Sequence, residues 1–171
     1  MIFKLRVTIW LILLLALSAF SLSAQTAAEM DIMLTAKEVN AAGAARFVLD
    51  AAELLPAGLS GNEAMSSAYD MAVSKGWIKR EAGEAITLKD LSFLVMSAFQ
   101  FKGGALYSMF HNPRYAYREM VYRKLIQGRT DPSMKVTGAR FLQIIGSALS
   151  YSGENERLDP ELFNIGTGGA R

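Results

Sequence analysis

Ala116–Leu149 reads AYREMVYRKLIQGRTDPSMKVTGARFLQIIGSAL. Its order is a helix, a glycine-containing turn, a threonine at a helix start, and a second helix. An earlier stretch, Ala68–Phe99 (AYDMAVSKGWIKREAGEAITLKDLSFLVMSAF), repeats it. Ala68, Tyr69, Val73, Trp77 and Ile78 match Ala116, Tyr117, Val121, Leu125 and Ile126 at an offset of 48. Past the turn, Thr87, Leu91, Leu94, Val95, Ser97, Ala98 and Phe99 match Thr137, Phe141, Ile144, Ile145, Ser147, Ala148 and Leu149 at an offset of 50. Self-similarity at a fixed period specifies architecture more strongly than any single motif, because each copy has to bury its apolar face against its neighbours.

Working outward, Leu34–Leu55 is a first helical region. Gly43 is expected to break it, leaving Ala44–Leu55 with Phe47, Val48, Ala51, Leu54 and Leu55 on one face. Aligning Ala45-Arg46-Phe47 with Ala139-Arg140-Phe141 suggests a partial third copy. The first full copy opens at Ala64, with Tyr69, Ala72, Val73 and Trp77 expected inward and Gly76 as a left-handed helix end. Thr87 and Asp90 form a Thr-x-x-Asp capping box, and Thr137 caps the last long helix. Ala105–Phe110 is expected to be a short helix in the linker. Period-two alternation is almost absent. The expected fold class is all-α, a bundle of helix–turn–helix repeats.

The repeats resemble the S-layer homology (SLH) repeat. The resemblance rests on Leu125-Ile126-Gln127-Gly128, Thr130-Asp131-Pro132 and Val136-Thr137 in one copy, and on Gly76-Trp77-Ile78 and Ile86-Thr87 in the other. It covers roughly residues 35–150. It implies three repeats in one domain that holds a bacterial surface protein to pyruvylated cell-wall polysaccharide. The family's Thr-Arg-Ala-Glu motif reads Thr87-Leu88-Lys89-Asp90 and Thr137-Gly138-Ala139-Arg140 here. The ligand-contacting arginine therefore falls on Leu88 and Gly138, neither of which can make a charged bidentate bond.

The chain's start has the layout of an export signal. Lys4 and Arg6 precede the apolar run Val7–Ala19, and small residues Ser21, Ser23 and Ala24 follow. Cleavage is expected after Ala24. The competing reading is an uncleaved anchor, for which a run of about 13 residues falls short of the ~20 that span a bilayer. The 18 basic residues exceed the 16 acidic ones only through Lys4 and Arg6, so the processed chain is neutral and gives no support for nucleic-acid binding. Localisation is expected to be exported, periplasmic or envelope-associated. A domain of residues 25–151 and a loose tail of 152–171 complete the organisation. There is no cysteine, so stability has to come from packing, and thiolate chemistry is excluded.

No catalytic constellation is present in the sequence. The single histidine, His111, lies in a Phe-His-Asn-Pro loop, and a nucleophilic triad or an ordinary transition-metal site would have to be built on it. Gly166–Gly169 follows no strand and opens no helix. The expectation is a protein that is not an enzyme, with no cofactor and no metal. One surface stands apart. Lys102–Arg140 holds eight basic and two acidic residues, interleaved with tyrosines. Arg114, Arg118, Tyr122, Arg123 and Arg129 are the candidate binding residues, suited to an acidic glycan, an anionic lipid headgroup or an acidic protein patch. The bland alternative has these charges paired with the acidic N-terminal third of the chain. The expected partner is a cell-wall or envelope polysaccharide, or another envelope protein. The other role left open is a structural subunit of an envelope or outer-membrane assembly, packing through apolar helix faces.

Overall fold

The computed structural model describes residues 28–158, with side chains through Gly153. The expected leader and cleavage site, and the chain beyond 158, lie outside the described residues. Among these residues the fold is all-α, with seven helices. They are α1 (28–35), α2 (Ala41–Ala51), α3 (Gly61–Ser74), α4 (Leu88–Ala98), α5 (Ala105–Phe110), α6 (Pro113–Tyr122) and α7 (Gly138–Leu158). The helix α7 continues past Ser152, where the tail was expected to begin.

Three extended residues, each one position before a helix cap, meet at the centre. Ile86 N–H donates to Val39 O (2.8 Å), Val136 N–H to Ile86 O (3.2 Å), and Val39 N–H to Val136 O (2.9 Å). The ring closes on itself, and all three side chains are buried. The helices leaving it are α2, α4 and α7. They bury matching residues around the ring: Ala44, Leu91 and Phe141, and, one turn on, Val48, Val95 and Ile145.

Each of these helices begins against the chain that leads into another. Ala41 and Ala42 N–H donate to Glu84 and Ala82 O (2.9 and 3.0 Å). Leu88 and Lys89 N–H donate to Met134 and Pro132 O (2.9 and 3.0 Å), and Gly138 N–H donates to Ala36 O (2.8 Å). The first unpaired amides of these helix starts are thus met by a neighbour's carbonyls, with a side-chain cap added only at α2. Thr87 does occupy the cap position, but its hydroxyl donates to Asp90 Oδ2 (2.6 Å) instead of capping. That carboxylate also accepts from Arg80 Nε (2.5 Å), which raises the Arg80 pKa. The Arg140 N to Thr137 Oγ1 separation is a long 3.5 Å.

Two expectations for the first helical region are corrected. Gly43 does not break it; the interruption is at 36–40, where Asn40 Oδ1 accepts from Gly43 N (2.7 Å) and starts α2. The ring also pairs Asn40 with Thr87 and Thr137, so α2 corresponds to α7 at an offset of 97 rather than the 94 of the Ala-Arg-Phe match. A third correction concerns α3. Its buried stripe is Ala64, Ala68 and Ala72, while Val73 is 42% exposed and Tyr69 and Trp77 are half-buried. Small side chains let the α3 backbone approach α2 closely, which rotates the larger ones to the flanks.

Helix ends repeat as faithfully as helix starts. Gly76 N–H reaches Val73 O and Trp77 N–H reaches Ala72 O (both 2.8 Å), a Schellman closure with Gly76 at φ +71°. Lys124 (φ +59°) and Leu125 close α6 in the same way onto Val121 and Met120. Glu53 and Gln100 do so for α2 and α4. A lysine held left-handed is strained relative to glycine, so Lys124→Gly is expected to stabilise the domain by about 0.5–1 kcal/mol in urea unfolding. Gly138 is the opposite case. A Cβ there would collide with the Met33 carbonyl, and backbone cannot swing aside. Gly138→Ala is expected to destabilise by roughly 3 kcal/mol in the same assay.

Candidate functional site

The basic segment lies on α6 and the turn after it. Pro113 at the first position and Asn112 as cap start α6, with Asn112 Oδ1 accepting from Arg114 N (3.0 Å) and Tyr115 N (3.2 Å). Ala116 and Met120 face the core, and α6 packs chiefly on α4. Arg114, Arg118 and Tyr122, four residues apart, therefore share the outward strip. All three are exposed, Tyr122 by 83%. No ion pair to either arginine forms among the described residues.

Arg123 does not belong with them. Its Nε donates to Glu119 Oε1 (2.8 Å), its two terminal nitrogens donate to Tyr151 Oη and Lys102 O, and its guanidinium lies 5.1 Å from the Tyr151 ring centre. Glu119 Oε2 meanwhile accepts from Gly104 N (3.1 Å). Arg123 thus ties α6, the 101–104 linker and α7 together. Its hydrogen bonds are used within the protein.

Arg129 sits elsewhere again, exposed in the turn between α6 and α7. That turn is pinned by Arg140, whose guanidinium donates to Gln127 O (3.1 Å) and Arg129 O (2.8 Å). Asp131 stabilises it further. Hydrogen bonds from the Ser133 hydroxyl and backbone amide hold the Asp131 carboxyl below its ordinary pKa. The bland alternative accounts for little of the segment's charge. The one ion pair from it to the acidic N-terminal third, among the described residues, is the exposed Lys135–Glu38 contact (2.9 Å).

Two residues extend the α6 strip that sequence reading did not select. Phe110 stacks on Tyr115 with ring centres 5.3 Å apart, and Met109 beside it is 77% exposed. The hairpin joining α5 to α6 brings them there, turned by His111 in a left-handed conformation (φ +38°). The His111 ring rests against Phe93 (5.5 Å) and Tyr107 (4.7 Å), a structural place in an exposed loop. Tyr107, part of the same tyrosine-rich segment, is buried, and burial raises its pKa.

The clefts are open and shallow in chemical content. One, of about 380 Å³, lies between α1 and α2 and is lined by Ile32, Met33, Arg46, Phe47 and Met65, with Arg46 paired to Glu29 (2.6 Å). The other, of about 600 Å³, is a polar groove between 123–127 and α7. Among the described residues no three His, Asp or Glu side chains gather as a metal site, and no helix is long and apolar enough to cross a membrane. Compared with known protein families, with curated proteins and with solved structures, the chain matches none.

The contrast between neighbouring arginines is directly measurable. Arg123→Ala is expected to lower stability by about 2 kcal/mol, since it removes three hydrogen bonds and a ring contact at one node. Arg118→Ala is expected to stay within about 0.5 kcal/mol of the parent in the same denaturation series.

Proposed function

We propose that this protein is a non-catalytic, exported module of the bacterial envelope, built from three SLH-like units, and that it binds an acidic envelope polysaccharide through Arg114, Arg118 and Tyr122. The observation that carries the reading is the outward strip of α6. Two exposed arginines that form no ion pair among the described residues stand in line with an exposed tyrosine at the far end, and Phe110 and Tyr115 stack at the near end. Guanidinium groups bind carboxylates with directional, charge-assisted hydrogen bonds, and aromatic faces suit the apolar side of a sugar ring.

Support for three units comes from the closed ring at Val39, Ile86 and Val136 and from the three matching helices that leave it. Support for export comes from the leader's layout. The polysaccharide surface differs from the one the family motif implies. At Gly138 the family's arginine has no room, because the chain at Met33 crosses that position. Arg129, exposed in its own turn, is a secondary contact. Arg123 is withdrawn from the binding set in favour of its structural role.

The second reading, a structural subunit of an envelope or outer-membrane assembly, is favoured by exposed apolar side chains at Ile32, Met109 and Phe110. It predicts association of the isolated protein instead of glycan binding. The test is co-sedimentation with purified acidic cell-wall polysaccharide and with a chemically neutralised preparation. The parent is expected to bind the acidic form alone, and Arg114→Glu/Arg118→Glu to lose binding while unfolding at the parent's denaturant midpoint. Equal binding by parent and variant sinks the assignment of this strip.

A further inference from the structure

Among the described residues, two short helices each expose three large apolar side chains. On α1 they are Met30, Ile32 and Leu34, with Glu29 and Asp31 set among them. On α5 they are Leu106, Met109 and Phe110, exposed by 48%, 77% and 52%. Their spacing of three and four puts them on one side of α5. Tyr107 turns the other way, is buried, and packs against the His111 ring. Helix α5 packs chiefly on α6, and none of its three exposed apolar residues lines either cleft. The apolar side is a ridge on a hairpin, not the wall of a groove.

The charge around this ridge has one sign. From Lys102 to Arg118 the sequence holds Lys102, Arg114 and Arg118 and no Asp or Glu. All three cations are exposed, and none forms an ion pair among the described residues. The first carboxylate after them, Glu119, is used within the protein, where it accepts from Gly104 N (3.1 Å) and Arg123 Nε (2.8 Å). Phe110 stacks on Tyr115, which follows Arg114 in the chain, so the apolar ridge and the cationic strip form one continuous surface.

We propose that the α5–α6 hairpin docks on an anionic lipid bilayer. Leu106, Met109 and Phe110 enter the boundary between headgroups and acyl chains, and Lys102, Arg114 and Arg118 meet the lipid phosphates. A convex apolar ridge with a cationic rim complements a surface that is anionic outside and apolar just beneath. The α1 cluster lacks that complementarity, because its carboxylates would face the same negative surface. An apolar contact of three side chains makes the attachment weak and reversible. This goes beyond the glycan reading and does not rest on it. Polysaccharide co-sedimentation reads that activity separately, so either can fail while the other stands.

The test uses the full chain, which has no cysteine, so Met109→Cys accepts a single environment-sensitive fluorophore. With vesicles of phosphatidylglycerol and phosphatidylcholine, its emission is expected to move to shorter wavelength and to be quenched by lipids brominated on the acyl chain. With phosphatidylcholine alone the label is expected to stay in water. The readout is local to α5, so an anchor elsewhere in the chain does not produce it. The same label on Ser74→Cys, at the end of α3, is expected to respond to neither vesicle. Leu106→Asp and Arg114→Glu/Arg118→Glu should each weaken the response by on the order of tenfold or more. These positions are exposed, so both variants should keep the parent's denaturant midpoint. No response at position 109, or an equal response by either variant, overturns the proposal. So does an equal response to phosphatidylcholine alone, or one shared by the Ser74 label. A wavelength shift that grows with protein concentration in the absence of vesicles, with a dimer seen by light scattering, overturns it in favour of a second copy.

Discussion

Three backbone hydrogen bonds, among Val39, Ile86 and Val136, hold the centre of this fold. Each of these residues is buried, so an amide left unpaired there would lose its full desolvation free energy. No two of the three segments can satisfy one another alone, because each gives to one neighbour and receives from the other. The arrangement therefore requires all three at once. The same logic extends two residues outward, where the first amides of α2, α4 and α7 donate to carbonyls of the loops before α4, α7 and α2 in turn. Cooperativity is built in by topology: loss of one loop uncaps a helix belonging to another unit.

This constraint explains why side-chain capping is so weak at the two threonines. Thr87 stands at the right place, yet Leu88 and Lys89 already have carbonyl partners, and its hydroxyl is left to orient Asp90 toward Arg80. It also explains Gly138. The chain at Met33 must come close enough for Ala36 to receive the Gly138 amide, and that approach leaves no volume for a side chain. A residue that reads in sequence as a lost ligand contact is, in the structure, what allows one unit to close on another.

Much of the helical layout was legible because apolar spacing reports burial. Leu91, Leu94 and Val95, and Phe141, Ile144 and Ile145, all lie in the core as their spacing requires, and α5 has the expected bounds. The register of the first unit was not legible. Its ring helix is alanine-rich, so Ala44 matches Phe141 in position but not in size, and the Ala-Arg-Phe similarity pointed three residues away. The positive-φ closures at Glu53, Gln100 and Lys124 were also hidden, since only Gly76 and its kind advertise a left-handed end in sequence. Tertiary packing, not local preference, holds the other three.

The basic segment shows where charge pattern stops being informative. Arg118 lies on α6 and Arg123, five residues on, caps its end; the two look alike in sequence. On an α-helix that separation rotates the second by about 140° from the first, enough to carry it from the solvent strip to the seam with α7. There Tyr151 supplies a ring and a hydroxyl, Glu119 a carboxylate, and Lys102 a carbonyl. Tyr151 lies beyond the end of the repeat and Lys102 in the linker before it, so no property of the helix itself could have assigned the role. What remains after Arg123 is set aside is a narrower surface of Arg114, Arg118 and Tyr122, whose arginines form no ion pair among the described residues, the acidic residues of the N-terminal third lying on other elements. Glu29 is paired to Arg46, and Glu84 and Asp90 to Arg80. A near balance of charge over the whole chain, 18 basic against 16 acidic residues, thus coexists with a local cationic strip, set by the distribution of partners and not by the sum of charges.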